Sequence, residues 1–273
     1  MRSCTQCLSQ ITGQGSDVGA FATGDTDFGE REMPVRCVDD VDPRIRPEIL
    51  GLRSVLLVCI GKATKLAETL QKEGKEYLAG VSFGATTPSY DLEKAIDQEY
   101  PVEGVTEESV REVLPRFLGE QEQIAPLFSA KSVDGVRAYE LARKQYREAH
   151  KEKTDVMTDF DHTVAETLNK QIINISGMEL ISFFPNGKES GPELSDEGLR
   201  PNPRINVVDT SALHLPLAMI RIKCSKGTYI RALARDLGEA LGSGAHLNSL
   251  ERTKSGGFTV GNCLSVNEVI SVL

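Results

Sequence analysis

Hydrophobic positions along this chain change period several times, and each change marks an element. Residues 54–60 read S-V-L-L-V-C-I, a short apolar and β-branched run closed by Gly61, which predicts a buried strand. A helix is predicted over 65–72, a second strand over 76–83, and a polar loop over 84–91 that contains Pro88. Thr106 stands where an N-cap belongs. Glu107 and Glu108 occupy the first turn of the helix it opens, and Val110, Val113, Leu114 and Phe117 share one face. Pro115 should kink that helix or end it early. A further helix is predicted over 136–147, with Tyr139, Leu141 and Ala142 packed inward.

Strand character returns over 171–183 and 217–224. In the second run Met219, Arg221 and Lys223 alternate with Ile220, Ile222 and Cys224, the period of a half-buried strand. From 229 to 241 the spacing of Ile230, Leu233, Leu237 and Leu241 marks an amphipathic helix, and Gly242 suits its C-cap. Two stretches read as insertions: a charged run over 148–170 and a Gly/Pro/Asn-rich run over 185–204. Residues 1–50 are rich in Gly, Asp and Thr, lack periodic hydrophobicity, and read as loop or disorder. The expected fold class is mixed α/β (α+β), a largely antiparallel sheet flanked by helices, carried by residues 51–273 after a divergent segment 1–50.

Composition narrows this picture. The chain has 273 residues and is 40% hydrophobic, enough for a substantial core without staples. It has no run of eighteen apolar residues and no secretory or transit signal, so the expectation is a cytoplasmic protein that does not enter a membrane. The six cysteines are scattered and no disulfide framework is expected. Cys4-x-x-Cys7 has no second pair at ribbon spacing and the chain has only four histidines, so no metal is expected. A net charge of −9 argues against nucleic acid, but it is unevenly spread. Between positions 216 and 256 seven basic residues stand against three acidic ones, and an acidic chain can own a basic face.

That basic stretch holds the most informative motif. C-S-K-G-T-Y-I-R from Cys224 runs into A-L-A-R-D-L-G, then G-S-G-A-H-L from Gly242 and L-E-R-T from Leu250. Read physically it is a strand, a glycine turn and a helix start, so Thr228, Tyr229 and Arg231 gather where a helix N-terminus can meet an anion. Arg231 lies off the Ile230/Leu233 face and can point into a cleft. The plainer reading makes Lys226, Arg231 and Arg235 a solvated helix face with Tyr229 at the core edge.

The motif closely resembles the TruB family of tRNA pseudouridine synthases, and three other blocks agree in order. They are L-V-C-I-G-K-A-T-K from Leu57, K-E-Y and G-A-T-T-P-S-Y-D ending at Asp91, and P-L-F-S-A-K from Pro126 with G-x-R-x-Y-E-x-A-R ending at Arg143. The similarity covers roughly residues 55–258. It implies a pseudouridine synthase fold that flips the uridine at position 55 out of the T-loop of tRNA, breaks its glycosidic bond, and rejoins the rotated base through carbon 5. An RNA and an aspartate suffice. An aromatic ring must replace lost stacking, and cations must hold the displaced backbone. By resemblance Tyr77 is the stacking ring, Arg231 pairs with the catalytic carboxylate, and Tyr229, Leu250 and Asp91 line the pocket. Asp91 can equally cap its own loop as an Asx turn, and Tyr77 can serve as a strand-core residue. Lys62, Lys65, Arg143, Lys226, Arg235 and Arg252 are the RNA-contact candidates, whereas His246 reads as structural.

Upstream of Leu57 the chain departs from the family. Where a G-x-x-G-T-L-D-P-x-A-T-G block belongs, it has R-P-E-I-L-G-L-R-S, and ungapped counting from Gly61 places the nucleophile's position on Ile49 beside Glu48. The Asp42-Pro43 pair reproduces the family's dipeptide seven residues too early, which makes Asp42 the candidate nucleophile. The chain's end soon after Phe258 leads to the expectation of no further C-terminal RNA-binding domain. Three readings follow: a tRNA-modifying isomerase, active as a monomer with no protein partner; an inactive RNA-binding or tRNA-chaperone homologue; and a protein-binding acidic α/β domain. The motif order and the basic stretch weigh against the third.

Overall fold

The computed structural model describes residues 35–39, 55–59, 61–126, 128–129, 132–133, 136–137, 170–187 and 208–263. Twelve strands are found among them: β1 Val35–Asp39, β2 Val55–Cys59, β3 Lys75–Phe83, β4 Ala85–Thr86, β5 Gln98–Glu99, β6 Gly119–Gln123, β7 Ser132–Val133, β8 Val136–Arg137, β9 Gln171–Phe184, β10 Leu217–Cys224, β11 Ala245–Ser255 and β12 Phe258–Thr259. The α-helices are α1 Ala67–Lys72, α2 Glu107–Val113 and α3 Ile230–Leu241. Six strands form one sheet in the order β12-β11-β3-β10-β9-β6, and the pairs β9/β10, β6/β9 and β11/β12 are antiparallel. The mixed α/β architecture with a largely antiparallel sheet is therefore the one expected. The chain divides into two compact units, 1–78 with 250–273 and 79–249, and the division falls within β3 and β11. No helix among the described residues is long and apolar enough to cross a membrane.

In the larger unit the alternation in β10 is realised as read. Ile220, Ile222 and Cys224 are buried, whereas Arg221 is half-exposed and Lys223 exposed. Fully burying each isoleucine contributes about 1.5–3 kcal/mol. Helix α2 starts at Thr106, whose Oγ1 accepts the Ser109 amide at 3.1 Å while Ser109 Oγ accepts the Thr106 amide at 2.9 Å. Pro115 ends it, since Leu114–Phe117 continues as a 3-10 turn. Helix α3 buries Ile230, Leu233 and Leu237 and stops at Gly242, whose φ of 68° is the left-handed C-cap conformation. Gly238 on α3 is required for another reason: a Cβ there would collide with backbone atoms of Gly244 and Ala245.

The smaller unit has its own core of Val55, Ala63 and Phe258, with Leu57, Leu70 and Val260 packed against it. Cys59 and Cys224 carry free thiols, whereas Cys263 is disulfide-bonded.

Two expectations are corrected. Residues 35–39 are not loop, because β1 pairs antiparallel with β2, Val35 opposite Cys59 and Asp39 opposite Val55. Its V-R-C-V-D sequence is too short for period alone to separate from a coil. Val136–Arg137 is not a helix start but a strand, paired antiparallel with Ser132–Val133. In the sequence, Gly135 is the punctuation the helical reading overrode. Residues 138–147, both inserted runs apart from Lys170 and 185–187, and most of 1–54 lie outside the described residues.

Candidate active site

The start of α3 is set by a residue that no pattern singled out. Tyr229 is the N-cap position but offers no side-chain cap. Gln123, buried at the end of β6, instead holds the backbone of Tyr229 itself. Its Oε1 accepts the Tyr229 amide at 2.8 Å, and its Nε2 donates to the Tyr229 carbonyl at 3.1 Å. The turn before it is held by Thr228 Oγ1 donating to the Ser225 carbonyl at 3.0 Å. The helix N-terminus is thereby fixed against the sheet, and Arg231 leaves from its first turn.

Arg231 reaches across to the loop after β4. Its Nη1 donates to Asp91 Oδ2 at 2.9 Å and to the Ser89 carbonyl at 3.5 Å, and its Nη2 donates to the Phe128 carbonyl at 3.1 Å. Both charged side chains are about three-quarters shielded, 23% and 25% exposed. The Asx-turn reading of Asp91 is realised, and its second oxygen has a separate partner. Oδ1 accepts the Glu93 amide at 3.0 Å, an Asx turn, while Oδ2 faces the guanidinium. Thr87 Oγ1 and Ser89 Oγ donate to the Asp91 carbonyl at 2.7 and 3.2 Å. The loop is also tied to the start of β11, since Leu247 donates its amide to the Tyr90 carbonyl at 2.9 Å.

His246 beside Leu247 is fully buried, with Nδ1 at 2.9 Å from the Ala85 carbonyl. A carbonyl can only accept, so Nδ1 carries the proton. Burial pushes the imidazole below its usual value, against the opposing pull of that bond and of Asp91 and Asp97. Burial thus favours the uncharged ring, and the bond to Ala85 fits a structural part. Its Nε2 and the Ser129 Oγ are the two buried side-chain atoms without a hydrogen-bond partner among the described residues.

Arg235, one turn beyond Arg231, is only 17% exposed. Its guanidinium lies 5.0 Å over the Tyr90 ring, and Nε and Nη2 both donate to Asp236 Oδ1 at 2.8 and 2.5 Å. Burial raises the Asp236 carboxyl, and Arg235 opposes that rise. Lys226 is exposed in the turn before α3. In the smaller unit Lys62 and Lys65 are exposed on the 3-10 turn Gly61–Leu66, and Tyr77 on β3 and Leu250 on β11 are half-buried. Arg252 donates its Nε to the Val55 carbonyl at 2.8 Å. Asp42 and the Arg143 side chain lie outside the described residues.

A shielded guanidinium–carboxylate pair at a helix N-terminus, with aromatic groups beside it, suits the capture and orientation of a polar, charge-developing substrate. Comparison with known proteins gives that chemistry a family. Residues 52–177 match the model described as TruB family pseudouridylate synthase, N-terminal domain, and residues 231–273 match that of the tRNA pseudouridylate synthase B C-terminal domain. The chain is 43% identical over 212 residues to tRNA pseudouridine synthase B of Phocaeicola vulgatus, covering 78% of this chain and 70% of the relative. It is 42% identical over 215 residues to the protein of that name from Parabacteroides distasonis, covering 79% and 71%. A solved Cbf5–Nop10–Gar1 complex aligns at 20% identity and a TM-score of 0.46, over 88% of this chain and 46% of that one, a likeness too remote to build on. The first matched segment opens at residue 52, inside the block that departs from the motif pattern, so Glu48 and Ile49 lie outside the match. With two fifths of aligned positions identical across more than two thirds of a relative's length, this chain belongs to the TruB family of pseudouridine synthases.

Proposed function

We propose that the protein isomerises uridine 55 in the T-loop of tRNA to pseudouridine, in the cytoplasm, without a cofactor or a required protein partner. The observation that carries this reading is the 43% identity to a protein named tRNA pseudouridine synthase B. The reaction is an isomerisation. The bond from the ribose carbon to base nitrogen 1 breaks, a bond to carbon 5 forms, and the carbon 5 proton is lost as nitrogen 1 gains one. Balance needs no external reagent. Tyr77 stacks on the flipped base, while Tyr229, Leu250 and Asp91 line its pocket. Arg231 orients the carboxylates of the site, with Asp42 as nucleophile. Lys62, Lys65, Arg143, Lys226 and Arg252 hold the RNA backbone.

The test is tritium release from carbon-5-labelled uridine in a T-loop transcript, run on the protein and on Asp42→Asn and Glu48→Gln. Loss in Asp42→Asn alone supports the assignment. Equal activity in all three sinks Asp42 as nucleophile, and no release by the unaltered protein sinks the reading itself. Binding of a T-arm stem-loop should weaken tenfold or more, roughly, between low and physiological salt.

A further inference from the structure

Arg231 and Arg235 stand one turn apart on α3 and reach the same short loop, but only Arg231 meets a carboxylate on it. Between Ser89, whose carbonyl meets Arg231, and Asp91, whose carboxylate does, lies Tyr90 with a φ of 61°. A bulky residue in the left-handed region is held there by its surroundings rather than by preference. The surroundings are specific. The Tyr90 amide donates to the Thr87 carbonyl at 3.0 Å, its carbonyl accepts from Leu247, and its ring is covered by the Arg235 guanidinium at 5.0 Å. Asp236 grips Nε and Nη2 together, so the plane of the guanidinium is set before it meets the ring. Arg235 Nη1 also lies 3.5 Å from the Tyr90 hydroxyl.

We propose that Arg235 is a positioning residue: stacked on Tyr90, it holds the left-handed turn that presents Asp91 to Arg231. Its consequence for catalysis rests on the function proposed above, whereas the brace itself does not. The chemistry separates this role from a phosphate contact. A phosphate needs charge, which lysine supplies as well as arginine, but a stacked plate held edge-on by a carboxylate needs the planar guanidinium.

The experiment uses the intact protein with Arg235→Lys, Arg235→Gln and Tyr90→Phe. Hydrogen exchange is read at the amides of Tyr90, Glu93 and Leu247, whose bonds the turn sets, with β9 and β10 as the internal reference. Both arginine substitutions should accelerate the three amides by about tenfold or more and leave the sheet unchanged, while Tyr90→Phe, which keeps the ring, stays within about threefold. In tritium-release kinetics both should lower kcat by roughly ten- to a hundredfold with KM for the T-arm nearly constant. The salt dependence of RNA binding should be the same for both. Unaltered exchange would overturn the brace. Accelerated exchange with wild-type kcat would overturn its role in the reaction. Full rescue by lysine, with glutamine shedding about one unit of salt slope, would make Arg235 a phosphate ligand instead. Should the unaltered protein release no tritium, the proposed function fails while the exchange pattern still decides the brace.

Discussion

Replacing Arg231 by glutamine takes three bonds from the site at once, those to Asp91 Oδ2, the Ser89 carbonyl and the Phe128 carbonyl. The Asp91 bond joins charges that are about three-quarters shielded, so its net contribution lies near the 1.5–3 kcal/mol of a charged hydrogen bond, above that of an open surface pair. The carboxylate left behind keeps the Glu93 amide but loses its counter-charge, which brings the expected cost of Arg231→Gln to about 3 kcal/mol. Asp91→Asn retains an oxygen for Glu93 and leaves Arg231 two carbonyls, so about 1.5 kcal/mol is expected. The double substitution strands no charge. It should cost about 3 kcal/mol rather than the additive 4.5, a coupling of about 1.5 kcal/mol. Urea unfolding followed by far-UV circular dichroism measures all four corners of the cycle, and the coupling corresponds to roughly 3–6 °C in melting temperature for a unit of this size. Additivity within about 0.4 kcal/mol would refute the pair as an energetic unit. In kinetics the same unit should appear as equal losses in kcat/KM for either single substitution and for both.

Three further outcomes follow from the geometry. Because burial lowers the His246 pKa below its unfolded value near 6.5, the unfolded chain binds more protons as pH falls; stability should be full above about pH 6.5 and decline below it, and His246→Asn should flatten the slope of melting temperature between pH 7 and 5. Gly238→Ala forces a methyl group into the Gly244–Ala245 backbone and should cost about 2–3 kcal/mol, read as a lower denaturant midpoint; a neutral result would mean α3 is free to shift. Gln123→Ala removes both bonds to Tyr229 and should cost about 2 kcal/mol, with faster exchange at the first turn of α3 than at its last.

The elements most legible in the sequence were those whose period repeats long enough to identify them. Leu217–Cys224 alternates through its whole length, and Ile230, Leu233 and Leu237 return on one helical face. Strand β11 was missed because A-H-L-N-S-L-E-R-T-K-S shows no alternation, its residues being buried or half-buried on both faces except Lys254. Strand β6 was missed because G-E-Q-E-Q reads as a coil, and charge at the end of a sheet is how an edge resists pairing. The site was legible by resemblance rather than by pattern. Asp91 and Arg231 are 140 residues apart, and Gln123 and Tyr229 are 106 apart, distances over which no local period carries information. Tyr90 gave no warning either, since a tyrosine is not a residue from which a positive φ is expected.

On the function proposed above, an acidic chain must divide its cations between two tasks. Within the basic stretch, Arg221 is paired with Glu179 at 2.7 Å, Arg231 with Asp91 at 2.9 Å and Arg235 with Asp236 at 2.5 Å, so three guanidiniums already answer carboxylates of the protein. The lysines of the same stretch, Lys223, Lys226 and Lys254, are exposed. The division follows from the groups themselves. A guanidinium is weakly hydrated and directional, and so survives partial burial where two or three acceptors fix its plane; an ammonium is strongly hydrated and stays at the surface, where long-range attraction to phosphates operates. Lysine substitutions should therefore alter RNA affinity and its salt slope, whereas substitutions at Arg231 or Arg235 should alter what happens after binding.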